Sequence, residues 1–241
     1  MSKEAIAVIP ARGGSQRVPR KNLKRLCGES LIARAVRIAA SATTISKVYV
    51  DTDDAEIAAA AVDAGAAVPF LRETATGSAT PVSQSTARFI ERLVDSGETV
   101  DTVVQMMANC PFRTKSDINS AVGVWNGLNN GCHSLISCFQ PLFSNSSWMK
   151  VLDQTKILRN AEIIESSGLV HEGVLVLPTG SIWVTDAQRI IATRDFWAGK
   201  VYGFEVSWLS GIDIDLPDEL KVAEMLAVGA DRRDIDDETQ C

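Results

Sequence analysis

The sequence predicts an α/β fold, three layers built on a mostly parallel sheet, and three observations predict it. Strand-like and helix-like patterns alternate from residue 6 to residue 71. The run Thr102-Val103-Val104-Gln105-Met106-Met107 is almost continuously apolar, as a strand covered on both faces is. The chain has 241 residues, 46% of them hydrophobic, enough for one large domain with a sizeable core.

The first strand is Ile6-Ala7-Val8-Ile9, which ends at Pro10 because proline has no N–H to give a ladder. In the loop that follows, Gly13 and Gly14 free the backbone, and Arg12, Arg17, Arg20 and Lys21 place four cations within ten residues. Ligands of open α/β sheets gather beyond the carboxyl ends of the strands, so the loop reads as a triphosphate cradle whose N–H groups form an anion nest. Composition alone fits a solvated basic turn equally well. No Gly-Lys-Ser/Thr closes the loop, so it is not a P-loop, and the dinucleotide Gly-x-Gly-x-x-Gly is missing.

Ser30 is placed to cap a helix over residues 31–40, with Leu31, Ala35, Ile38 and Ala39 near one face. Lys47-Val48-Tyr49-Val50 is the second strand, and Asp53 with Glu56 reads as a capping pair opening an alanine-rich helix over 55–64. Gly65 ends that helix, and the extended residues 67–71 bring Arg72 to the edge of the first loop. Residues 73–84 form a polar loop before a helix carrying Phe89, Ile90 and Leu93. After the buried strand comes Ala108-Asn109-Cys110-Pro111-Phe112-Arg113, then a helix over 115–127 capped by Thr114 or Ser116.

Ser134-Leu135-Ile136-Ser137-Cys138-Phe139 is a sixth extended run, and there the rhythm stops: residues 140–178 read as an excursion from the sheet. A strand returns at Thr179-Gly180-Ser181-Ile182-Trp183-Val184, Asp186 caps a helix with Ile190 and Ile191, and Trp197 and Phe204 are expected under the sheet. In Gly211-Ile212-Asp213-Ile214-Asp215-Leu216-Pro217, strand alternation puts Asp213 and Asp215 on one face. Two such carboxylates repel unless a divalent cation compensates, and hard oxygen ligands select Mg²⁺. The plainer reading is a solvated strand end before a last helix that starts at Pro217.

The net charge of −6 argues against a general nucleic-acid binder, so the basic loop points to a small anionic ligand. The five cysteines are odd in number and lack Cys-x-x-Cys spacing, which predicts neither a disulfide framework nor zinc, and a reducing cytoplasm. No basic leader with an apolar core and no run of about 18 apolar residues is present, so neither a signal peptide nor a membrane span is expected. Cys110 has no evident base partner, and His133 and His171 lack metal-ligand spacing, so all three are assigned to packing or surface.

Pro10-Ala11-Arg12-Gly13-Gly14-Ser15-x-Arg17-x-Pro19-x-Lys21-Asn22 resembles the signature of the CMP-nonulosonate synthetases, the cytidylyltransferases that activate sialic acid and its bacterial relatives. The resemblance covers nearly the whole chain and is strongest at residues 6–22 and 211–220. It implies a single glycosyltransferase-A-like cytidylyltransferase domain over 1–241, with residues 140–178 as a dimerisation arm that makes a homodimer. The implied reaction joins CTP to a nine-carbon 2-keto sugar acid and releases pyrophosphate. Arg12 and Lys21 would hold the triphosphate, and Asp213 and Asp215 would hold Mg²⁺. Nucleotide contacts fall on Ala11, Gly13, Gly14, Ser15, Asn22, Arg72 and Ser83, and sugar-acid contacts on Asn109, Arg113, Thr179 and Gly180.

Departures from the family pattern fall at a phosphate contact (Gln16), in the base- or ribose-contacting loop (78–80) and on the sugar side (Met107 and Thr179). Gln16 stands where many members carry Lys, Ser78-Ala79-Thr80 replaces a Ser-Asp-Thr, Met107 aligns with a Gln, Asn109 with a Thr, and Thr179 with an Asn. Two rival readings follow: a synthetase for the eight-carbon acid KDO, and a catalytically silent nucleotide-binding regulator of the same fold.

Overall fold

The computed structural model describes residues 5–72, 81–128, 131–140, 150–152, 158–160 and 176–229. Strand β1 (Ala5–Pro10) is buried along its whole length and lies between two parallel neighbours, β4 (Ile45–Asp51) and β5 (Thr102–Gln105). With β6 (Ser134–Phe139), β9 (Leu177–Asp186) and β10 (Val201–Glu205) they form one sheet in the order β10-β6-β9-β5-β1-β4. Two short hairpins stand apart: β2 (Arg25–Leu26) with β3 (Glu29–Ser30), and β7 (Lys150–Leu152) with β8 (Leu158–Asn160). Residues 67–71 give a single parallel bridge, Ala67 to Tyr49, rather than a full strand.

Alternation along β1 divides the core. Ala5, Ala7 and Ile9 pack with helices α1 (Leu31–Ser41), α2 (Ala55–Asp63) and α4 (Lys115–Gly127) on one face. Ile6 and Val8 pack with α3 (Val82–Asp95) and α5 (Ala187–Thr193) on the other. The two clusters are the outer layers of the expected sandwich. A smaller third cluster, Leu26, Leu31, Phe112, Ile214, Ala223 and Ala227, seats α7 (Pro217–Gly229) at the sheet's rim.

The caps follow the sequence where a short polar side chain stands next to an apolar period. Ser30 accepts from Ala33 N, and Thr114 and Asp117 form a full capping box. Asp186 precedes α5 without capping it by its side chain. Phe196, not Trp197, is the buried aromatic of its turn; Trp197 stands 47% exposed, edge-on to Trp183 at 6.2 Å. Cys27 is disulfide-bonded, against the expectation of reduced cysteines throughout, whereas Cys110, Cys132 and Cys138 are free thiols. No helix among the described residues is long and apolar enough to cross a membrane.

β9 is antiparallel to both β5 and β6. The excursion leaves the carboxyl end of β6 and re-enters at the same rim, so the returning strand has to run backwards. The expected dimerisation arm lies largely outside the described residues, as do His171 and Ser78-Ala79-Thr80.

The pairing of β6 with β9 breaks between Ile136 and Cys138, where residues 179–182 of β9 bow out of the ladder. Three of the displaced carbonyls, those of Thr179, Gly180 and Ser181, are taken up locally. Ser137 Oγ donates to Thr179 O at 3.2 Å and accepts from Ile182 N at 2.9 Å, while Trp183 Nε1 also reaches Thr179 O at 2.8 Å. Met107 N donates to Gly180 O at 2.9 Å. The guanidinium of Arg113, wholly buried, donates to Ser181 O and, at 3.1 Å, to Met107 O. A Cβ at Gly180 would lie 2.7 Å from Met107 Cγ, so only glycine lets these two segments meet.

Two outcomes test this arrangement. Arg113→Met removes the donors of two buried carbonyls and lowers unfolding stability by about 2–4 kcal/mol in chemical denaturation, and Arg113→Lys recovers only part of it. Cys110, whose thiol is pushed up to about 12 by burial against the bulge, stays unmodified by thiol reagents in the native protein at neutral pH.

Candidate active site

The carboxyl ends of β1, β4 and β5 open into a cleft of about 310 Å³. Arg12, Ser15, Gln16, Arg17, Val18, Lys21 and Asn22 of the first loop make one wall, and Asp213 and Asp215 face them. Arg72, Val82, Ser85, Met107, Asn109 and Gly180 complete the lining. The basic loop and the acidic pair thus meet across one site.

The loop is held from behind. Ala11 N donates to Asp51 O at 2.9 Å, Gly13 N to Asp53 Oδ1 at 2.8 Å, and Asn22 Nδ2 to Arg12 O at 3.1 Å. Arg20, in the left-handed region at φ 55°, ties the loop to α2 through Glu56. These bonds correct three expectations. The N–H groups of Ala11 and Gly13 are spent on the protein itself, so these two amides take no part in an anion nest. Gly13 is required for space, since its Cβ would sit 2.6 Å from Asp54 Oδ2, and nothing in the structure explains glycine at position 14. Asp54 is the N-cap of α2, accepting from Glu56 N at 2.8 Å and Ile57 N at 3.1 Å, which releases Asp53 to brace the loop.

Arg72 lines the cleft while bonding Asp51, with Nε at 2.7 Å from Oδ1 and Nη2 at 2.7 Å from the main-chain oxygen. Burial pushes the Asp51 carboxyl up against the opposing pull of Arg72, and its Oδ2 has no hydrogen-bond partner. Ser83 is buried on the core stripe of α3, and Val82 and Ser85 reach the cleft in its place. Thr179 is buried too, donating to Gly211 O at 2.9 Å, and Arg113 is committed to the bulge. Of the four expected sugar-acid contacts, Asn109 and Gly180 line the cleft; Thr179 and Arg113 stand behind it.

Residues 212–215 are not a strand but the extended link between α6 (Trp208–Gly211) and α7. The expected alternation survives without a ladder because Ile214 is anchored in the third cluster and its N–H bonds Asn109 O at 2.8 Å. Glu219 Oε2 accepts from Asp215 N at 2.6 Å and Leu216 N at 2.7 Å, which fixes the turn into α7.

Asp215 is the most heavily bonded group of the site. Its Oδ1 accepts from Lys21 Nζ at 2.7 Å and Asn109 Nδ2 at 3.2 Å, and its Oδ2 from Arg17 Nη2 at 2.6 Å. Desolvation opposes its charge, but the bonds and charges of Lys21 and Arg17 prevail and hold the carboxyl below the usual carboxylate range. Asp213 goes the other way: desolvation raises it, and the charges of Asp215 and Glu219 raise it further. No side-chain cation bonds Asp213 among the described residues. No group of three or more His, Cys, Asp or Glu there holds a metal by itself. Two hard carboxylates beside open cleft suit an ion that completes its shell from water and phosphate, as Mg²⁺ does.

Sequence reasoning missed Ser85 in the lining and the bracing roles of Asp51 and Asp53. Ser83 was separable from Ser85 on helical spacing, since 83, 86, 87, 90 and 93 form one stripe with the apolar positions. Asp51 carried the signal of a carboxylate closing an apolar strand.

The chain is similar to known proteins over most of its length. CMP-N,N'-diacetyllegionaminic acid synthase of Legionella pneumophila is 29% identical over 224 residues, 92% of this chain and 95% of that protein. A 3-deoxy-manno-octulosonate cytidylyltransferase of an Anaeromyxobacter species is 38% identical over 125 residues, 52% of this chain and 48% of that one. The solved structure of CMP:2-keto-3-deoxy-manno-octonic acid synthetase complexed with CTP shares the fold, with a TM-score of 0.69 at 18% identity, over 94% of this chain and 99% of that chain. The cytidylyltransferase family model matches residues 6–170, from the first strand through the basic loop and the parallel core into the excursion, and the chain belongs to that family.

Proposed function

We propose that the protein transfers CMP from CTP to the anomeric hydroxyl of a nine-carbon 2-keto sugar acid of the sialic, legionaminic or pseudaminic type, with release of pyrophosphate. The observation that carries this reading is the cleft itself: Arg12, Arg17, Lys21 and Arg72 line it opposite Asp213 and Asp215. Four cations suit a triphosphate, and two carboxylates suit the divalent ion that accompanies one. Similarity over nearly the whole length of a legionaminic acid synthase supports the nine-carbon acceptor, whereas the octulosonate relative matches about half of each chain.

In this reading the oxygen of the sugar's anomeric hydroxyl attacks the α-phosphorus, the bond to the β-phosphate oxygen breaks, and the hydroxyl proton is lost. Arg12 and Lys21 hold the triphosphate and neutralise the charge that builds on the departing pyrophosphate. Asp213 and Asp215 would hold Mg²⁺, which supplies charge neutralisation at the α-phosphate and lowers the pKa of the attacking hydroxyl. Arg72, Ser85 and Asn22, which line the cleft, are assigned to the nucleoside, and Asn109 and Gly180 to the acid. A homodimer completed by the 140–178 arm belongs to the same proposal.

Pyrophosphate release with CTP, Mg²⁺ and a panel of sialic, legionaminic, pseudaminic and KDO acids is the direct test. Turnover of a nine-carbon acid is expected; turnover of KDO alone moves the protein to the octulosonate branch, and CTP binding without any turnover makes it a regulator. Asp213→Asn is expected to lose about 100-fold or more in kcat with an unchanged thermal midpoint, because the residue touches no packed cluster. Normal kcat in that variant removes Asp213 from the metal site.

A further inference from the structure

Asp215 joins two sets of groups that the reaction needs apart. Its carboxylate has about four lone-pair sites, and Lys21, Asn109 and Arg17 use three of them. Lys21 and Arg17 are the loop's cations nearest the acids, and both bond Asp215 at salt-bridge distance, 2.7 and 2.6 Å. Each thereby commits one donor and most of its charge to Asp215, which weakens its pull on a phosphate. A divalent ion on the same oxygens needs those lone pairs and repels an ammonium and a guanidinium at that range. Asn109 differs from them: it is neutral, and its Nδ2 also reaches Ile214 O at 3.2 Å, so it keeps the carboxylate aimed whichever cations are present.

We propose that Asp215 is an exchange switch: its carboxylate holds Lys21 and Arg17 until a divalent cation takes their place, and the displaced side chains then turn to the triphosphate. The proposal rests on the reading of the cleft as a site for a metal-bound nucleotide. It deepens that reading by making Asp215 a resident competitor of phosphate. Metal and nucleotide then favour each other through the protein, beyond their own affinity for one another. Asp213 has no part in the exchange, because no cation bonds it among the described residues. The two aspartates therefore differ in kind: loss of Asp213 only weakens the site, whereas loss of Asp215 charge also frees two phosphate ligands.

Two measurements on the full chain test this. In the first, lysines of the wild-type protein are acetylated with an N-hydroxysuccinimide ester in EDTA or in Mg²⁺, without nucleotide, and each site is followed by mass spectrometry. The Lys21 rate is expected to rise several-fold in Mg²⁺ against exposed Lys24 as the internal reference. In the second, CTP binding is titrated calorimetrically in EDTA, and Asp215→Asn is expected to bind about tenfold tighter than wild type, with Asp213→Asn showing no gain. A Lys21 rate unmoved by Mg²⁺, or a folded Asp215→Asn protein that binds CTP no tighter than wild type in EDTA, overturns the exchange. Should the variant fail to fold, the wild-type footprint alone decides. Wild-type protein that binds no CTP even in Mg²⁺ overturns the nucleotide reading, while the footprint still judges the exchange separately.

Discussion

The ion pair between Lys21 and Asp215 is the constraint around which the site is arranged, since it joins the segment after the first strand to the segment before the last helix. Neither end is rigid by itself. The loop takes its shape from Asp51, Asp53 and Asn22, and the acidic link takes its shape from Ile214 in a small apolar cluster and from Glu219 at the turn. Lys21 is 17% and Asp215 31% exposed, so the pair is dry enough for its charges to be felt and wet enough to be exchanged. A fully buried pair would be too costly to break for a ligand, and a fully exposed one too weak to position anything.

The opposite rim is set by backbone rather than by charge. The bulge of residues 179–182 displaces carbonyls that would otherwise sit in the β6–β9 ladder, and Arg113, Ser137, Trp183 and Met107 N receive them. Gly180 is pressed against Met107 by this geometry, which gives the cleft a wall without a charged group at that point. Burial lowers the pKa of Arg113, the expected cost of placing a guanidinium among carbonyls with no carboxylate bonded to it. A cation in so dry a position serves the backbone.

Much of this was legible in the sequence because it is local or periodic. The strands of the parallel core, the caps at Ser30 and Thr114, and the facing of Asp213 with Asp215 follow from spacing alone. The roles that were not legible depend on contacts between distant segments. Asp53 and Asp54 are adjacent and chemically alike; only the position of Gly13, 40 residues away from Asp53, decides which caps the helix and which holds the loop. Arg113 and Thr179 look like ligand groups in one dimension, and the bulge that claims both comes from a register slip whose local mark is the glycine at position 180 inside a strand pattern.

The direction of β9 carries one further meaning. A chain that departs and re-enters at a single rim can lengthen, shrink or be exchanged there while strand order and nucleotide pocket stay as they are. The wall of the cleft next to the first loop hangs on parallel strands joined through helices, whereas the wall at Gly180 hangs on the strand that returns from the excursion. A change of length in the excursion is therefore felt at Gly180 before it is felt at the loop.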